Sequence, residues 1–229
     1  MALVTVVSSY WLGRAGYKQV WDLQLALHSR IVAGNQPPTL LLLEHKPVIT
    51  VGRHGDTSNV YLSENELAAK GVELHRIERG GDVTFHGPGQ LIGYPLLNLK
   101  IPGLSVSEYL RRLEESLIVL LSRYSLETKR EPGFTGVWHQ SGKIASIGIA
   151  VKRWITFHGF ALNVTTDLSY FKLINPCGLS RPVTSIQQLT GLSPDCRQVA
   201  QEYLSAFRKA FGVESSDLIS GWPSSERET

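Results

Sequence analysis

The sequence predicts an α+β fold, with many strands placed before the final helices. Strand-like runs rich in Val, Ile, Leu and Phe follow one another with only short turns, which departs from a regular strand–helix alternation. The 229 residues contain no evident repeat, low-complexity block or long linker, so one domain is expected. The predicted strands cover residues 3–7, 40–43, 48–51, 72–77, 83–86, 91–97, 143–151 and 155–164.

Helices are predicted between and after these strands. Residues 17–31 carry an apolar stripe at helical spacing. Two Ser-x-x-Glu sequences, at 63–66 and 105–108, have the form of a capping box, and the second begins the longest helix. Asp195 and Gln198 begin a last helix that runs to about Phe211, and the Ser-rich stretch after Ser215 is expected to fray. We therefore expect one folded domain over residues 1–214 and a flexible tail over 215–229.

Composition narrows the class of function. The 23 basic and 20 acidic residues leave a net charge of only +3, too small to indicate nucleic-acid binding. No segment approaches the roughly 18 consecutive apolar residues of a membrane helix. Two cysteines cannot form a disulfide framework, which favours a reducing compartment. We expect a cytoplasmic protein with no membrane or nucleic-acid partner.

Common nucleotide and metal motifs are absent. The glycines at 87–93 are misplaced for a dinucleotide fingerprint and run into a strand, and Gly142-Lys143 is followed by Ile144, which offers no hydroxyl for magnesium. The seven histidines form no His-Glu-x-x-His pattern, and neither cysteine has a partner at zinc-finger spacing. The sequence therefore predicts neither a bound nucleotide nor a metal.

Cys177 is the first candidate for a catalytic nucleophile. Pro176 and Gly178 mark a bend, where a thiol faces a cleft and neighbouring backbone N–H groups can receive an oxyanion. A buried apolar role is the alternative for any lone cysteine. Cys196, in the first turn of a predicted helix, is assigned that structural role.

A nucleophilic cysteine needs a partner that favours its thiolate. The candidates are His86, His139, His158 and Lys143. Alternation places Lys143 on the same strand face as three apolar residues. Such a lysine either lies at a strand end and reaches water, or is held in a dry cleft as a base or as an ammonium that stabilises a thiolate.

Residues 79–90 form the densest motif, with four glycines and with Arg79 and His86 at either side of a predicted strand. A tight turn needs only one or two glycines, whereas glycines also let a substrate approach the backbone closely. The motif is interpreted as a substrate wall.

Four motifs in order resemble the lipoyl(octanoyl) transferases over residues 3–211. They are Arg-Gly-Gly at 79–81 with His-Gly-Pro-Gly-Gln at 86–90, Gly-Lys-Ile-Ala-Ser-Ile-Gly at 142–148, Trp-Ile-Thr-Phe-His-Gly-Phe-Ala-Leu-Asn-Val at 154–164, and Pro-Cys-Gly at 176–178. The resemblance implies a biotin/lipoate protein ligase-like catalytic domain, with a mixed sheet flanked by helices. It also implies transfer of an octanoyl group, carried as a thioester on acyl carrier protein, to a lysine of lipoyl domains. The acceptors would be acyltransferase subunits of 2-oxoacid dehydrogenases and the glycine cleavage H protein.

The resemblance also assigns residues and excludes cofactors. Cys177 would carry the acyl thioester and Lys143 would tune it, with neither ATP nor a metal. The implied substrate-binding residues are Arg79, Gly80, Gly81, Asp82, Val83, Thr84, Phe85, His86, Ser146, Ile147, Gly148, Gly159, Phe160 and Ala161.

The residue roles implied by the resemblance fit an acyl transfer in two steps. Thiolate attack exchanges one thioester for another, and attack by the acceptor amine then gives a more stable amide. Lys143 is the candidate base, with His86 as a helper, and the backbone N–H groups of Gly178 or Gly80–Gly81 are candidate oxyanion donors. Phe85, Leu91, Ile147 and Phe160 are candidates for an apolar channel, although each fits the core equally well.

Three alternatives remain at this point. An ATP-dependent lipoate or biotin ligase on the same fold needs no nucleophilic cysteine. A cysteine amidohydrolase would pass the acyl group to water, and a non-catalytic relative would only bind acylated proteins.

Overall fold

The computed structural model describes residues 6–100, 103–175 and 182–223. Among them, nine strands form one large sheet and three form a second, small sheet. The large sheet contains β1 (Val6–Ala15), β2 (Thr39–His45), β6 (Gln90–Leu96), β7 (Lys129–Glu131), β8 (Phe134–His139), β9 (Gly142–Lys152), β10 (Ile155–Asn163), β11 (Glu214–Ser215) and β12 (Ile219–Ser220). The small sheet contains β3 (Val48–Val51), β4 (Glu73–Arg76) and β5 (Val83–His86).

The large sheet is mixed. Its order is β11-β1-β2-β6-β10-β9-β8-β7, with β12 also paired to β1. The pairs β1–β2, β1–β11 and β1–β12 are parallel, and those from β2 through β7 are antiparallel. In the small sheet β3 pairs parallel with β4 and antiparallel with β5.

Helices cover both faces of the large sheet. The helices are α1 (Tyr17–Val32), α2 (Glu64–Ala69), α3 (Val106–Ser122), α4 (Ile186–Thr190) and α5 (Cys196–Phe211). The apolar side of α1 packs on one face, while α3 and α5 pack together on the other. Both predicted capping boxes are present, at Ser63 with Glu66 and at Ser105 with Glu108. The α+β prediction is confirmed, and in the described part of the chain no helix is long and apolar enough to cross a membrane.

Local patterns located most elements within a few residues. The strands at 48–51 and 83–86 have the predicted bounds, and Asp195 caps the last helix as expected. The first strand differs, because β1 extends to Ala15. Strands β7 and β8 were not predicted, since their sequences lack an apolar run or a regular alternation.

The expectation of a frayed tail from Ser215 onward is wrong over residues 215–220. There β11 and β12 pair parallel with β1, and Arg208 donates hydrogen bonds to the carbonyl oxygens of Ser215 and Ser216. These segments satisfy backbone groups along the outer edge of β1, and Ser216 N–H donates to the Val7 carbonyl oxygen at 2.9 Å. Residues 224–229 lie outside the described residues.

Candidate functional site

A cavity of about 360 Å³ lies where the small sheet meets β9 and β10. All of the predicted substrate-binding residues line it except Phe85. Lys143 also lines it, so the structure brings together three of the four sequence motifs. The fourth contains Cys177, which lies outside the described residues.

Arg79 anchors one wall of this cavity. Its side chain is buried, and Nη2 donates to the carbonyl oxygen and to the hydroxyl of Thr50, at 2.7 and 2.8 Å. Nε contacts the same hydroxyl at 3.2 Å, and Nη1 donates to the Gly80 carbonyl oxygen at 3.0 Å. The guanidinium therefore fastens the loop that carries Gly80 and Gly81 to strand β3.

The loop lies directly against β9. Gly80 N–H donates to the Ile149 carbonyl oxygen at 2.8 Å, so this N–H is not available as the oxyanion donor that was considered for it. Gly81 has φ +86°, a conformation that favours glycine. A Cβ on Gly148 would lie 2.9 Å from the Gly80 carbonyl oxygen, which shows how closely the two backbones approach.

Asp82 connects this loop to the start of the 176–181 segment. Its carboxylate accepts from the Asp56 backbone N–H at 3.1 Å and from Asn59 Nδ2 at 2.7 Å. The Asn59 carbonyl oxygen in turn accepts from Asn175 N–H at 2.8 Å. The last described residue before the Cys177 segment is thus tied to the cavity wall.

Lys143 lies near the start of β9 and is half-buried. Its Nζ donates to the Thr135 carbonyl oxygen at 3.2 Å and lies 4.7 Å from the centroid of the Trp138 ring. Its backbone N–H donates to the Pro182 carbonyl oxygen at 2.9 Å, and its carbonyl accepts from Thr184 N–H at 3.0 Å. The chain therefore leaves the 176–181 segment beside Lys143. Both contacts of Nζ are of the kind that an ammonium group makes.

His86 is buried at the cavity and held in one tautomer. Gln90 Nε2 donates to Asn163 Oδ1 at 2.8 Å, so Gln90 Oε1 is free to accept from His86 Nδ1, also at 2.8 Å. Burial, followed by the neighbouring His45, lowers the pKa of His86 from 6.5 to about 3. The imidazole is therefore neutral at pH 7, with its Nε2 lone pair unprotonated.

A cluster of rings around the buried end of the cavity was not predicted from the sequence. Tyr17 lies parallel to the His86 ring with 6.3 Å between centroids, and Tyr94 Oη lies 2.8 Å from His45 Nε2. Tyr17, Tyr94 and His158 line the cavity; only His158 was considered, and only as a thiolate partner. No local signal marks the other members, because they come from α1, β2 and β6 and meet only in the folded chain.

Two of the proposed channel residues belong to cores instead. Phe85 stacks on Tyr170 with 4.6 Å between centroids and packs in the core of the small sheet. Leu91 is fully buried in the main core. Neither lines the cavity, whereas Ile147 and Phe160 do.

His139 and Cys196, the other residues considered from the sequence, do not line the cavity. His139 Nδ1 accepts from Ser141 N–H and does not line the cavity. Cys196 is buried at the first turn of α5, and burial raises its thiol pKa, which confirms the structural role predicted for it. Among the residues that the structure describes, no three His, Cys, Asp or Glu side chains are grouped to hold a metal ion.

The sequence matches known proteins along most of its length. Residues 16–208 match the family model of the lipoyl protein ligase A/B catalytic domain. An octanoyltransferase from Alkaliphilus metalliredigens is 43% identical over 210 residues, which are 91% of this chain and 96% of the relative. An octanoyltransferase from Koribacter versatilis is 50% identical over 194 residues, which are 82% of this chain and 77% of the relative. Another, from Porphyromonas gingivalis, is 46% identical over 88% of this chain, which spans only 43% of that longer protein.

Solved structures support the same fold at low identity. A bipartite lipoate protein ligase from Thermoplasma acidophilum has a TM-score of 0.71 at 14% identity, covering 93% of this chain and 86% of its own. A lipoate-protein ligase A bound with ATP has a TM-score of 0.70 at 16% identity, and the match covers 92% of this chain and 88% of the ligase. A biotin protein ligase from Aquifex aeolicus has a TM-score of 0.51 at 14% identity, and the match covers 92% of this chain and 70% of the ligase.

Proposed function

This chain belongs to the lipoyl protein ligase A/B catalytic-domain family, among its octanoyltransferases, and from that membership we propose how it acts. It transfers an octanoyl group to a lysine of a lipoyl domain, and Cys177 carries the group in between. The observation that carries this proposal is the position of Lys143, which lines the cavity and bonds to the backbone at 182–184, beside the Cys177 segment.

The cavity suits the acyl tail of the donor. Apolar side chains of Val83, Leu110, Ile147 and Ile149 line it, and its inner end is closed by buried rings. Each methylene removed from water contributes about 0.8 kcal/mol, so the six methylenes of an octanoyl group supply roughly 5 kcal/mol of binding. A cavity of this kind holds the acyl chain while its carbonyl reacts at the Lys143 end.

The transfer has two balanced steps. The Cys177 thiolate attacks the thioester of an acyl carrier protein, a new C–S bond forms and the old one breaks, and the carrier leaves as a thiolate that takes up the proton Cys177 had given up. A neutral acceptor lysine then attacks the acyl-enzyme, the amide C–N bond forms, and the Cys177 thiolate leaves while the amine loses its proton. Because the reference pKa of lysine is about 10.4, that amine needs a proton acceptor nearby.

Lys143 is proposed as the group that exchanges these protons. Its ammonium, on the Trp138 ring and the Thr135 carbonyl oxygen, would stabilise the Cys177 thiolate before acyl transfer. The same amine, once deprotonated, would accept the proton of the acceptor lysine. His86, oriented by Gln90, offers the lone pair of its neutral Nε2 as a hydrogen-bond acceptor in the cavity, and its lowered pKa makes it a weaker base than Lys143.

We propose no ATP and no metal for this reaction. The solved ligases are at most 16% identical and support the fold alone, whereas the relatives at 43–50% identity are named octanoyltransferases. The proposed partners are an octanoyl-acyl carrier protein as donor and lipoyl domains of 2-oxoacid dehydrogenases and of the glycine cleavage H protein as acceptors.

The test is the intact mass of the protein after mixing with octanoyl-acyl carrier protein, without ATP or acceptor. We expect one added octanoyl group, which a lipoyl domain discharges. Cys177→Ala should remove the adduct, and Cys196→Ala, a matched control at the buried cysteine, should retain it. Modification that appears only with ATP and free octanoate would instead indicate a ligase.

Lys143 is tested by two variants. Lys143→Arg keeps a positive charge but cannot act as a base, and Lys143→Met removes both properties. We expect Lys143→Arg to form the adduct slowly and to fail in the transfer to the acceptor. Near-normal transfer by Lys143→Arg would limit this residue to an electrostatic role.

A further inference from the structure

Glu114 is a buried carboxylate in the middle of α3. Its side chain is 4% exposed, and it does not line the cavity. Oε2 accepts from Arg111 Nη1 at 2.9 Å and from Arg130 Nε at 3.1 Å. Oε1 accepts instead from the backbone N–H of Gly136 on β8, at 3.2 Å. Two guanidinium groups thus balance the buried charge through one oxygen, and the other oxygen holds a backbone N–H.

The N–H of Gly136 lies in an irregular part of the β7–β8 pair. Between two paired positions β7 advances two residues, from 129 to 131, while β8 advances four, from 134 to 138. Such a bulge leaves backbone groups of the longer strand without a partner on the shorter one, and Glu114 supplies an acceptor for one of them. A Cβ on Gly136 would lie 2.5 Å from the Ala145 carbonyl oxygen, so the bulge also lies directly against β9.

The carbonyl oxygen of the same peptide group binds Lys143. The peptide that contributes the Gly136 N–H also contributes the Thr135 carbonyl oxygen, which accepts from Lys143 Nζ at 3.2 Å. In a planar trans peptide the N–H and the C=O point in opposite directions. Glu114 and Lys143 therefore contact the two ends of one rigid group. A carboxylate on the N–H also polarises the carbonyl oxygen, which strengthens its bond to an ammonium.

The same part of β8 carries another contact of Lys143. The Trp138 ring lies 4.7 Å from Nζ, and Trp138 Nε1 donates to the Phe134 carbonyl oxygen at 3.3 Å. Both contacts thus come from residues 134–138, the segment that contains the bulge. Because Glu114 fastens this bulge to α3, its loss would disturb both contacts of the ammonium.

We propose that Glu114 is a positioning residue for Lys143 and acts through the peptide group between Thr135 and Gly136. The buried carboxylate fixes the direction of the Thr135 carbonyl and, with it, the place of the Lys143 ammonium. Glu114 does not contact the cavity itself. This inference rests on the proposed function, because that function gives Lys143 its part in the transfer.

Glu114→Gln tests this arrangement with little change in shape. An amide has one acceptor oxygen and two N–H donors, so either the Gly136 N–H or the two guanidinium groups then face a donor. Glu115→Gln is the matched control. Glu115 is the neighbouring residue on α3, is 46% exposed and pairs with the same Arg130. The control variant loses that ion pair but keeps the Glu114 carboxylate on the Gly136 N–H.

Urea unfolding of a double-mutant cycle measures the link between Glu114 and Lys143 without any transfer reaction. The cycle combines Glu114→Gln with Lys143→Met. We expect the two effects to depart from additivity by about fivefold in the unfolding equilibrium constant, because each change removes the partner at one end of the same peptide. The cycle of Glu115→Gln with Lys143→Met should be additive within about twofold. Additivity in both cycles would overturn the proposal.

Transfer kinetics test the consequence for the reaction. Glu114→Gln should lower kcat about tenfold, which corresponds to one weakened hydrogen bond to a charged group. KM for the octanoyl carrier should stay within about twofold, since the residues that line the cavity are unchanged. Glu115→Gln should match the unaltered protein in both constants. A rise in KM at unchanged kcat would assign Glu114 to the shape of the cavity and overturn the proposal.

The two measurements separate this inference from the proposed function. Coupling in the cycle with no transfer by the unaltered protein would reject the proposed function and leave the positioning of Lys143 by Glu114 standing. Normal transfer by both the unaltered protein and Glu114→Gln would do the reverse. If Glu114→Gln does not fold, Glu114→Asp replaces it, because it keeps the charge beside the two arginines but is one methylene shorter and draws away from the Gly136 N–H.

Discussion

Replacing Arg79 with lysine tests whether the guanidinium holds the glycine loop of the cavity. The change keeps the positive charge but loses the planar fork that contacts Thr50 through two nitrogens and the Gly80 carbonyl oxygen through a third. One ammonium cannot reach the Thr50 and Gly80 oxygens together. At least one of the two carbonyl oxygens, of Thr50 or of Gly80, is then left without this donor.

The expected loss follows from those contacts. A hydrogen bond to a charged group is worth about 1.5–3 kcal/mol, and about two such bonds are lost with partial recovery by the ammonium. We expect Arg79→Lys to lower the free energy of unfolding by roughly 3 kcal/mol and Tm by about 10 °C. The kcat/KM for octanoyl transfer should fall about tenfold, because Gly80 and Gly81 would no longer be fixed against β9.

Urea unfolding and initial rates of transfer measure the two effects. Arg76→Lys is the matched control, since Arg76 is exposed and contacts Thr57 through one nitrogen at 3.1 Å. That control should change stability by less than about 0.5 kcal/mol. A double-mutant cycle of Arg79→Lys with Thr50→Val should give a coupling energy of about 1 kcal/mol or more. No difference between the lysine variants at 76 and 79 would refute the anchoring role.

Three further predictions concern packing, pH and a helix cap. Gly159→Ala should destabilise the fold by about 3 kcal/mol, because a Cβ there would lie closer than 3.0 Å to the Gly93 carbonyl oxygen. Stability should fall as the pH is lowered from 6.5 toward 4: burial depresses the pKa of His45 to about 4 and that of His86 to about 3, so the unfolded chain binds these protons first. Each histidine contributes up to about 1.4 kcal/mol per pH unit. Ser105→Ala should cost about 1 kcal/mol and leave transfer unchanged.

Each of these has its own check by urea unfolding. Gly80→Ala is the control for packing, since the nearest atom to its added Cβ is the Ile149 carbonyl oxygen at 3.6 Å, and equal losses at 80 and 159 would contradict the argument. His45→Asn should reduce the pH slope by about one proton, and an unaltered slope would assign the acid sensitivity to other groups. A loss of transfer in Ser105→Ala would show that this cap affects the cavity.

Local chemistry in the sequence determined most of the elements and predicted most of the residues that line the cavity. The capping boxes at Ser63 and Ser105 each join residues three positions apart, so the local sequence was enough to predict them. The substrate wall over residues 79–90 was predicted from motif and composition; residues 79–86 line the cavity apart from Phe85, whereas residues 87–90 do not. Phe85 fits the alternation of side chains along β5, but the sequence of β5 does not show which side of the small sheet packs against Tyr170.

Only the tertiary structure decided how the cavity is closed and how the chain ends. The rings at its buried end, Tyr17, His86, Tyr94 and His158, come from four separate elements, and Gln24 reaches 134 positions along the sequence to hold His158. The tail at 214–220 pairs with β1, more than 200 residues earlier, because that edge offers unpaired backbone groups. Contacts over such separations depend on which surfaces meet after folding, and the pattern of any one segment does not record them.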